Sequence, residues 1–120
     1  MSSLPEWRLP ITTTLVVTTA IATRDFQDVH HDRDLARSYG SQDIFLNILT
    51  TTGLVQRYVT DSLRAAGAGE VELAGISLRL GAPAYPGDEL VFTGTRDGHT
   101  VSVVGAVSLG DHVTATVTLR

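Results

Sequence analysis

The stretch "QDIFLNILTTTGLVQRYVTDSLRAAG", residues 42–67, repeats apolar side chains at intervals of three and four residues. Such spacing puts them along one face of an α-helix, and the face is wide enough that the helix should be largely enclosed by other structure. The positions concerned are Ile44, Phe45, Ile48, Leu49, Thr52, Val55, Tyr58, Val59 and Leu63. A glycine inside a helix costs about 1 kcal/mol relative to alanine, so Gly53 predicts close approach of another backbone or of a ligand.

The residues that follow this helix change to a period-two pattern, which is typical of half-buried β-strands. The predicted strands are 71–80, 89–95, 100–109 and 112–119. Asp-Gly at 97–98 and Gly-Asp at 110–111 are hairpin-turn signals between strands. We therefore expect these strands to form the sheet that encloses the long helix.

Two further elements are predicted before the long helix. The run "ITTTLVVTTAIA" at 11–22 is rich in β-branched residues and lacks Gly and Pro, which favours an extended strand. The run "DRDLARSYG" at 32–40 favours a short helix that Asp32 caps and Gly40 ends. One antiparallel sheet wrapped around one long buried helix satisfies all these patterns, an α+β fold of the hotdog type. Because an open sheet leaves an unpaired edge, we also expect dimerisation.

Composition limits the classes of protein to which the chain can belong. Its 120 residues, 42% hydrophobic and 18% charged, fit one globular domain spanning 1–120. The absence of cysteine excludes thiolate chemistry, and a net charge of -4 with scattered arginines argues against a nucleic-acid surface. No apolar run approaches the roughly 20 residues of a membrane helix, and the first ten residues do not resemble a secretory leader. We therefore expect a cytoplasmic protein.

The segment "RDFQDVHHDRDLA", residues 24–36, crowds four aspartates and two histidines into one connection between predicted elements. Asp25 and His30 lie five residues apart, where a turn after the first predicted strand can aim both side chains into one cleft. A carboxylate and an imidazole held around a water molecule can remove a proton from that water and deliver one to a substrate carbon. The pattern therefore indicates an acid and base pair suited to hydration.

Two other interpretations of the same segment stay open on spacing alone. It can be a solvated loop, in which Asp28, Asp32 and Asp34 face water or cap the short helix, or a metal site with His30, His31 and Asp32 as ligands. Elsewhere in the chain, His99 and His112 are predicted to face solvent. Tyr58 is predicted to belong to the core.

The start of the long helix is the predicted substrate-binding region. Unpaired backbone N–H groups and the helix dipole near Asn47 could polarise a thioester carbonyl, although an ordinary capping amide is an equal alternative. The predicted substrate-binding residues are Asn47, Ile48, Thr52 and Gly53.

The spacing Asp25, His30, Asp32 and Ala36 resembles the hydratase motif of the MaoC-like, R-specific enoyl-CoA hydratases. The segment "LRLGAPAYPGDELVFTGT" is similar to that family's strand, Pro/Gly turn and following strand. The runs "ATRDFQDVHHDRD", "DIFLNILTTTGLVQRYVTD" and "LGDHVTATV" resemble in particular the small catalytic subunits of actinobacterial steroid enoyl-CoA hydratases, which act in cholesterol side-chain breakdown.

The resemblance implies a hotdog fold in which Asp25 is the general base and His30 gives a proton to the α-carbon. It implies a heterotetramer of two copies of each subunit, in which a related MaoC-like large subunit lacks the pair. The implied substrate is a 3-oxo steroid whose three-carbon CoA thioester side chain carries a 17(20) double bond, and the product would pass to a retro-aldolase. Coenzyme A is part of the substrate, and neither a separate cofactor nor a metal is implied.

The sequence departs from the general hydratase pattern near the pair and at the helix start. Arg24 stands where the family has glycine before the catalytic aspartate, and Asn47 with Ile48 stands where it has His-Gly. Arg24 would also tend to hold the neighbouring carboxylate of Asp25 ionised.

Two rival functions are a hotdog acyl-CoA thioesterase and a non-catalytic scaffold subunit of a hydratase complex. The arginine that meets the CoA phosphates is left open among Arg57, Arg64 and Arg79.

Overall fold

A computed structural model describes residues 1–120 as a five-stranded antiparallel sheet with three α-helices. The elements are β1 (Ser2–Pro10), α1 (Thr13–Ala22), α2 (Arg33–Ser38), α3 (Ile48–Ala65), β2 (Leu73–Leu80), β3 (Glu89–Asp97), β4 (Thr100–Val107) and β5 (Gly110–Leu119). A single 3-10 turn, Asp28–His30, lies between α1 and α2. The strand order is β1-β3-β4-β5-β2, so β1 and β2 form the two edges of the sheet.

The long helix α3 packs its apolar face against the sheet, as the predicted hotdog arrangement requires. Val55, Val59 and Leu63 of α3 are buried in the same cluster as alternate residues of β3, β4 and β5. Tyr58 lies 5.5 Å from Phe92, ring centroid to centroid, and donates its hydroxyl hydrogen to Pro5 O of β1 at 2.7 Å. The four strands predicted after the helix are confirmed, and so is the core position of Tyr58.

The strand predicted at 11–22 is wrong, because these residues form helix α1. Thr12 caps the helix by accepting a hydrogen bond from Leu15 N. Threonine hydroxyls along it donate to carbonyls one turn earlier, as Thr18 does to Thr14 O at 2.6 Å, which satisfies the β-branched side chains locally. Only Val16 and Ala20, one helical turn apart, are buried. The apolar period is therefore that of a helix.

The first strand is β1, which precedes α1. Its sequence contains two prolines, which argue against a strand, and it was therefore not predicted. Ser2–Pro10 pairs with β3, and the ladder is interrupted by a register shift between Leu4 and Trp7. Pro5 falls in this irregular part, where a missing N–H breaks no regular ladder bond. The first of the five strands is therefore β1 and not the run at 11–22.

Helix α3 begins at Ile48, four residues later than the periodicity at Ile44 indicated. Residues 44–46 run as an irregular segment, in which Phe45 N donates to Val29 O at 3.2 Å and Leu46 N to Ala84 O at 3.2 Å. These bonds tie the helix start to two neighbouring loops. The helix is less enclosed than predicted at this end, because Ile48 and Leu49 are 50% and 55% exposed.

Gly53 is not a point of close backbone approach. A Cβ built at this position meets no atom within 4 Å apart from its own chain neighbours and helix backbone. The predicted neighbouring backbone is therefore absent, and only the ligand alternative stays a prediction. The short helix α2 is confirmed, with Asp32 accepting from Leu35 N at 3.1 Å and Gly40 at φ +92 just beyond its end. None of the helices combines the length and the apolar character needed to cross a membrane.

Candidate active site

Asp25 and His30 are brought together by the short connection that follows α1. Arg24 takes the left-handed backbone region at φ 56, and Asp25 N then donates to Ala20 O at 2.8 Å, which closes the end of the helix. The 3-10 turn Asp28–His30 carries the chain back. As a result, His30 Nε2 lies 3.3 Å from Asp25 Oδ2, with the side chains 6% and 23% exposed. The two groups face each other, with the carboxylate the more accessible.

The orientation of the His30 ring is set by a backbone carbonyl. His30 Nδ1 lies 2.7 Å from Phe45 O, and because a carbonyl can only accept, Nδ1 carries a proton. The Phe45 ring also packs edge-on against the imidazole, with centroids 4.9 Å apart. Nε2 is therefore the ring nitrogen left to exchange protons, and it is the one that faces Asp25.

The environment of Asp25 favours the ionised carboxylate. Burial raises the pKa of Asp25, but hydrogen bonds from Gln27 N–H and from the Asn47 amide, with the charges of His30 and His31, outweigh it, and the net pKa lies below the ordinary value. Arg24 is exposed and contributes none of these effects. The expectation that Arg24 holds the carboxylate ionised is therefore wrong.

Asn47 caps helix α3 and contacts Asp25 through the other end of its amide. Its Oδ1 accepts from Thr50 N at 2.8 Å, while its Nδ2 donates to Thr23 Oγ1 at 2.8 Å and to Asp25 Oδ2 at 3.1 Å. The residue is 3% exposed. All the polar atoms of this side chain are thus used inside the protein, and none is free to meet a substrate.

The other predicted substrate-binding residues lie on the exposed face of the first turns of α3. Ile48 and Gly53 are exposed, and Thr52 is half-buried with its hydroxyl bonded to Ile48 O at 2.8 Å. The backbone N–H groups of Ile48 and Leu49 have no acceptor within the chain. Such free donors at the start of a helix attract developing negative charge.

Comparison with known proteins identifies the family. No protein-family profile matches the chain. It is 58% identical over 121 residues to the 3-oxo-4,17-pregnadiene-20-carboxyl-CoA hydratase beta subunit of Mycobacterium tuberculosis, covering 97% of this chain and 91% of that protein. The chain belongs to the MaoC-like enoyl-CoA hydratases.

Solved structures agree with this MaoC-like assignment. A chain of the ChsH1-ChsH2 complex from Mycobacterium tuberculosis superposes with a TM-score of 0.87 and 53% identity, covering 99% of this chain and 96% of the other. The (R)-hydratase of A. caviae involved in PHA biosynthesis superposes with a TM-score of 0.79 over 100% of this chain and 96% of the other. Its identity is 18%, so it shows the shared fold alone.

The geometry of this MaoC-like chain does not support the metal-site interpretation. His30 points to Asp25 and Phe45 O, whereas His31 Nε2 contacts Asp25 O at 2.6 Å and Asp32 caps α2. The three side chains diverge, and no group of three His, Asp or Glu side chains converges on one point. The solvated-loop interpretation holds only for Asp28, Asp32 and Asp34, which are exposed.

His112 is buried, and its predicted exposure is wrong. Its Nδ1 donates to Ala82 O at 2.8 Å, and its Nε2 lies 2.8 Å from Thr51 Oγ1 of α3. The ladder between β4 and β5 pairs Gly105 with Val113 and Ala106 with Asp111, so His112 is the extra residue of a bulge and turns inward. Burial lowers the pKa of His112, and the hydrogen bond to Ala82 opposes this only in part. His99 is exposed, as predicted.

Two of the arginines considered for CoA binding are engaged with the same carboxylate. Arg57 and Arg64 lie 3.4 and 3.9 Å from Asp61, and the Arg57 guanidinium sits 5.1 Å from the Trp7 ring centroid. A cleft of about 230 Å³ between β1 and α3 is lined by Trp7, Arg57 and their neighbours. It shares no residue with the Asp25 and His30 pair. Arg79, on β2, is exposed.

Proposed function

We propose that this chain is the catalytic subunit of an enoyl-CoA hydratase that adds water across the α,β double bond of a steroid acyl-CoA. The observation that carries the proposal is the 3.3 Å contact between His30 Nε2 and Asp25 Oδ2 at the exposed start of α3. The substrate class rests on the relative's name, a 3-oxo-4,17-pregnadiene-20-carboxyl-CoA hydratase beta subunit, at 58% identity. The proposed substrate is therefore a 3-oxo steroid with a 17(20)-unsaturated three-carbon thioester side chain.

The reaction begins with Asp25 ionised and His30 protonated on both ring nitrogens. A water molecule hydrogen-bonded to Asp25 attacks the β-carbon, and Asp25 takes the proton that the water loses. His30 Nε2 gives its proton to the α-carbon. The Asp25 proton then returns to His30 across the 3.3 Å contact, which restores the starting state. Atoms and charge balance without any other reactant.

The start of α3 stabilises the charge that develops during water addition. When the double bond is attacked, negative charge moves to the thioester oxygen. We propose that the N–H groups of Ile48 and Leu49, which have no acceptor within the chain, receive it. Asn47 does not contact the substrate in this proposal, because its amide nitrogen already donates to Thr23 and Asp25. Both proton-transfer groups are side chains, so we propose that no separate cofactor is needed.

The proposed assembly is a heterotetramer with a related MaoC-like large subunit. Support comes from the solved ChsH1-ChsH2 complex, one chain of which matches this fold with a TM-score of 0.87. Exposed apolar side chains also occur at the end of α1, beside Asp25 in the loop and at the start of α3, and a single chain leaves them in water. They are Ile21, Phe26, Ile48 and Leu49. Hydration would yield a tertiary β-hydroxy thioester, the substrate of a retro-aldol cleavage, so a retro-aldolase is the proposed next enzyme. A cytoplasmic location stays a prediction.

The test is an assay of the chain co-purified with its partner subunit. With the unsaturated steroid thioester, absorbance of the enoyl group should fall while free thiol stays constant. Asp25→Asn and His30→Ala should each lower kcat about 10²- to 10⁴-fold. Asp28→Asn, an exposed aspartate in the same loop, should leave activity unchanged.

Other outcomes of this assay would point to a different function. Thiol release without loss of the enoyl absorbance would favour a thioesterase. Full activity of both Asp25→Asn and His30→Ala would favour a scaffold role for this chain. Preference for a short-chain enoyl thioester would remove the steroid assignment and leave the reaction type standing.

A further inference from the structure

The cap of α3 differs in chemistry from the caps of the other two helices. Thr12 and Asp32 cap α1 and α2, and each uses a side-chain oxygen that accepts from a backbone N–H three residues on. Asn47 does the same for Thr50 N. An oxygen acceptor is all that a cap requires, and serine or aspartate would supply it about as well. The amide of Asn47 adds two donors that capping does not use.

Both of these donors are directed at the connection that carries Asp25. One reaches Thr23 Oγ1 at 2.8 Å and the other Asp25 Oδ2 at 3.1 Å. Thr23 is itself anchored, since its hydroxyl donates to Thr19 O at 2.8 Å in the last turn of α1. The Asn47 side chain therefore joins the end of α1, the carboxylate and the start of α3 at one buried point.

The bond to Asp25 falls on the oxygen that matters for proton transfer. Oδ2 is the oxygen 3.3 Å from His30 Nε2, whereas Oδ1 accepts from Gln27 N at 3.2 Å. With each oxygen held by a different donor, the carboxylate has one orientation toward the imidazole. Removing the Asn47 donor frees Oδ2 to rotate away from His30 and removes a bond that favours the ionised form.

We infer that Asn47 is a positioning residue for water addition, acting on Asp25 and not on the substrate. The inference rests on the proposed function, because it assigns Asn47 to the same acid and base pair. It separates two tasks of one side chain: the oxygen starts the helix and the nitrogen aims the base. A variant that keeps the first task and loses the second should fold normally and work poorly.

Two substitutions make that separation in the co-purified complex. Asn47→Ser keeps a good cap and removes the donors, so we expect kcat to fall about 10- to 100-fold while KM changes less than about threefold. Asn47→Asp also keeps the cap but places a second carboxylate beside Asp25. A nearby like charge raises the pKa of a carboxyl group. In the plot of kcat/KM against pH, the fall in activity on the acid side (the acid limb) should therefore move to higher pH.

The matched control adds the same charge at another cap. Thr12→Asp puts a carboxylate at the N-cap of α1, whose 10 residues separate it from Thr23. At a rise of about 1.5 Å per residue the new charge lies roughly 15 Å along α1 from Thr23, next to Thr13, which lines a cavity with His31 and Asp32. The acid limb of Thr12→Asp should therefore move less than that of Asn47→Asp. Thr23→Val, which leaves the α3 cap untouched, should lower kcat in the same direction as Asn47→Ser.

The outcomes distinguish failure of this inference from failure of the proposed function. If the wild-type complex hydrates no enoyl thioester, the function itself fails. If the wild type is active and Asn47→Ser and Asn47→Asp keep its kcat and acid limb while folding normally, Asn47 is only a cap and the inference is overturned. If circular dichroism shows that an Asn47 variant is unfolded, Thr23→Val becomes the test. An unchanged kcat of Thr23→Val would then overturn the inference.

Discussion

The hydrogen bond between Thr51 and His112 should account for a measurable part of the stability of the fold. Thr51 is fully buried on α3, and its Oγ1 lies 2.8 Å from His112 Nε2 on β5. Because His112 Nδ1–H donates to Ala82 O, the neutral ring leaves Nε2 as an acceptor, and the Thr51 hydroxyl is its donor. Thr51→Val removes that donor while keeping the β-branched shape of the side chain.

The expected size of the effect follows from burial at both ends of the bond. A buried acceptor left without a donor costs about 1–3 kcal/mol, and the methyl group that replaces the hydroxyl recovers only part of this in a closely packed core. We therefore expect the free energy of unfolding to fall by about 1–2 kcal/mol. For a domain of this size that corresponds to a fall in Tm of roughly 5 °C or more.

Denaturant unfolding followed by circular dichroism measures this difference. Thr14→Val is the matched control, since Thr14 is an exposed helical threonine whose hydroxyl makes no hydrogen bond within the chain. Exposed substitutions of this kind usually change stability by less than about 0.5 kcal/mol. Equal stability of Thr51→Val and Thr14→Val would show that the bond between helix and sheet contributes nothing, and would refute the reasoning.

Three further predictions concern stability and pH. Burial lowers the pKa of His112 in the folded chain below its unfolded value of 6.5. As the pH falls, the unfolded chain therefore takes up this proton before the folded chain does, so the free energy of unfolding should be highest above about pH 6.5 and decrease below it. His112→Gln should flatten this slope in pH-dependent unfolding and His99→Gln should keep it; an unchanged slope in His112→Gln would contradict the assignment. Gly53→Ala should raise the free energy of unfolding of the isolated chain by about 0.5–1 kcal/mol, since its Cβ meets no atom within 4 Å; a loss of stability would disprove this. Arg24→Gly should also stabilise, by about 0.5–1 kcal/mol, because it relieves the positive φ of 56, and its activity profile should keep the wild-type acid limb; a shifted limb would show that Arg24 acts on Asp25 after all.

Periodicity predicted the parts of the fold whose burial pattern is simple. Burial alternates along most of β3, β4 and β5, and α3 buries one stripe of side chains, so these patterns are visible along the chain. The sequence pattern of α1 led to a wrong strand prediction, because its threonine hydroxyls bond to carbonyls of the preceding helical turn and the helix thereby tolerates them. β-branched composition then indicates a strand where only the four-residue spacing of Val16 and Ala20 marks a helix.

The candidate site was predictable where its residues are close in sequence. Asp25 and His30 lie in one short loop, so their proximity followed from spacing and from the resemblance to the hydratases. Contacts between residues far apart in the sequence could not be predicted from local spacing. The pairing of Asn47 with Asp25 spans 22 positions, and that of Thr51 with His112 spans 61. The inward turn of His112 depends on a bulge, which period-two alternation along β5 does not reveal.

The loop that holds the acid and base pair is anchored in part by its backbone. Asp25 N bonds to Ala20 O, and Val29 O accepts from Phe45 N, and neither bond depends on the side chain of Asp25 or His30. A duplicate of the same gene could therefore lose both reactive groups and still produce a folded subunit. Such a descendant would keep the fold while losing the reaction, which gives pairs of related subunits with different roles a short evolutionary route.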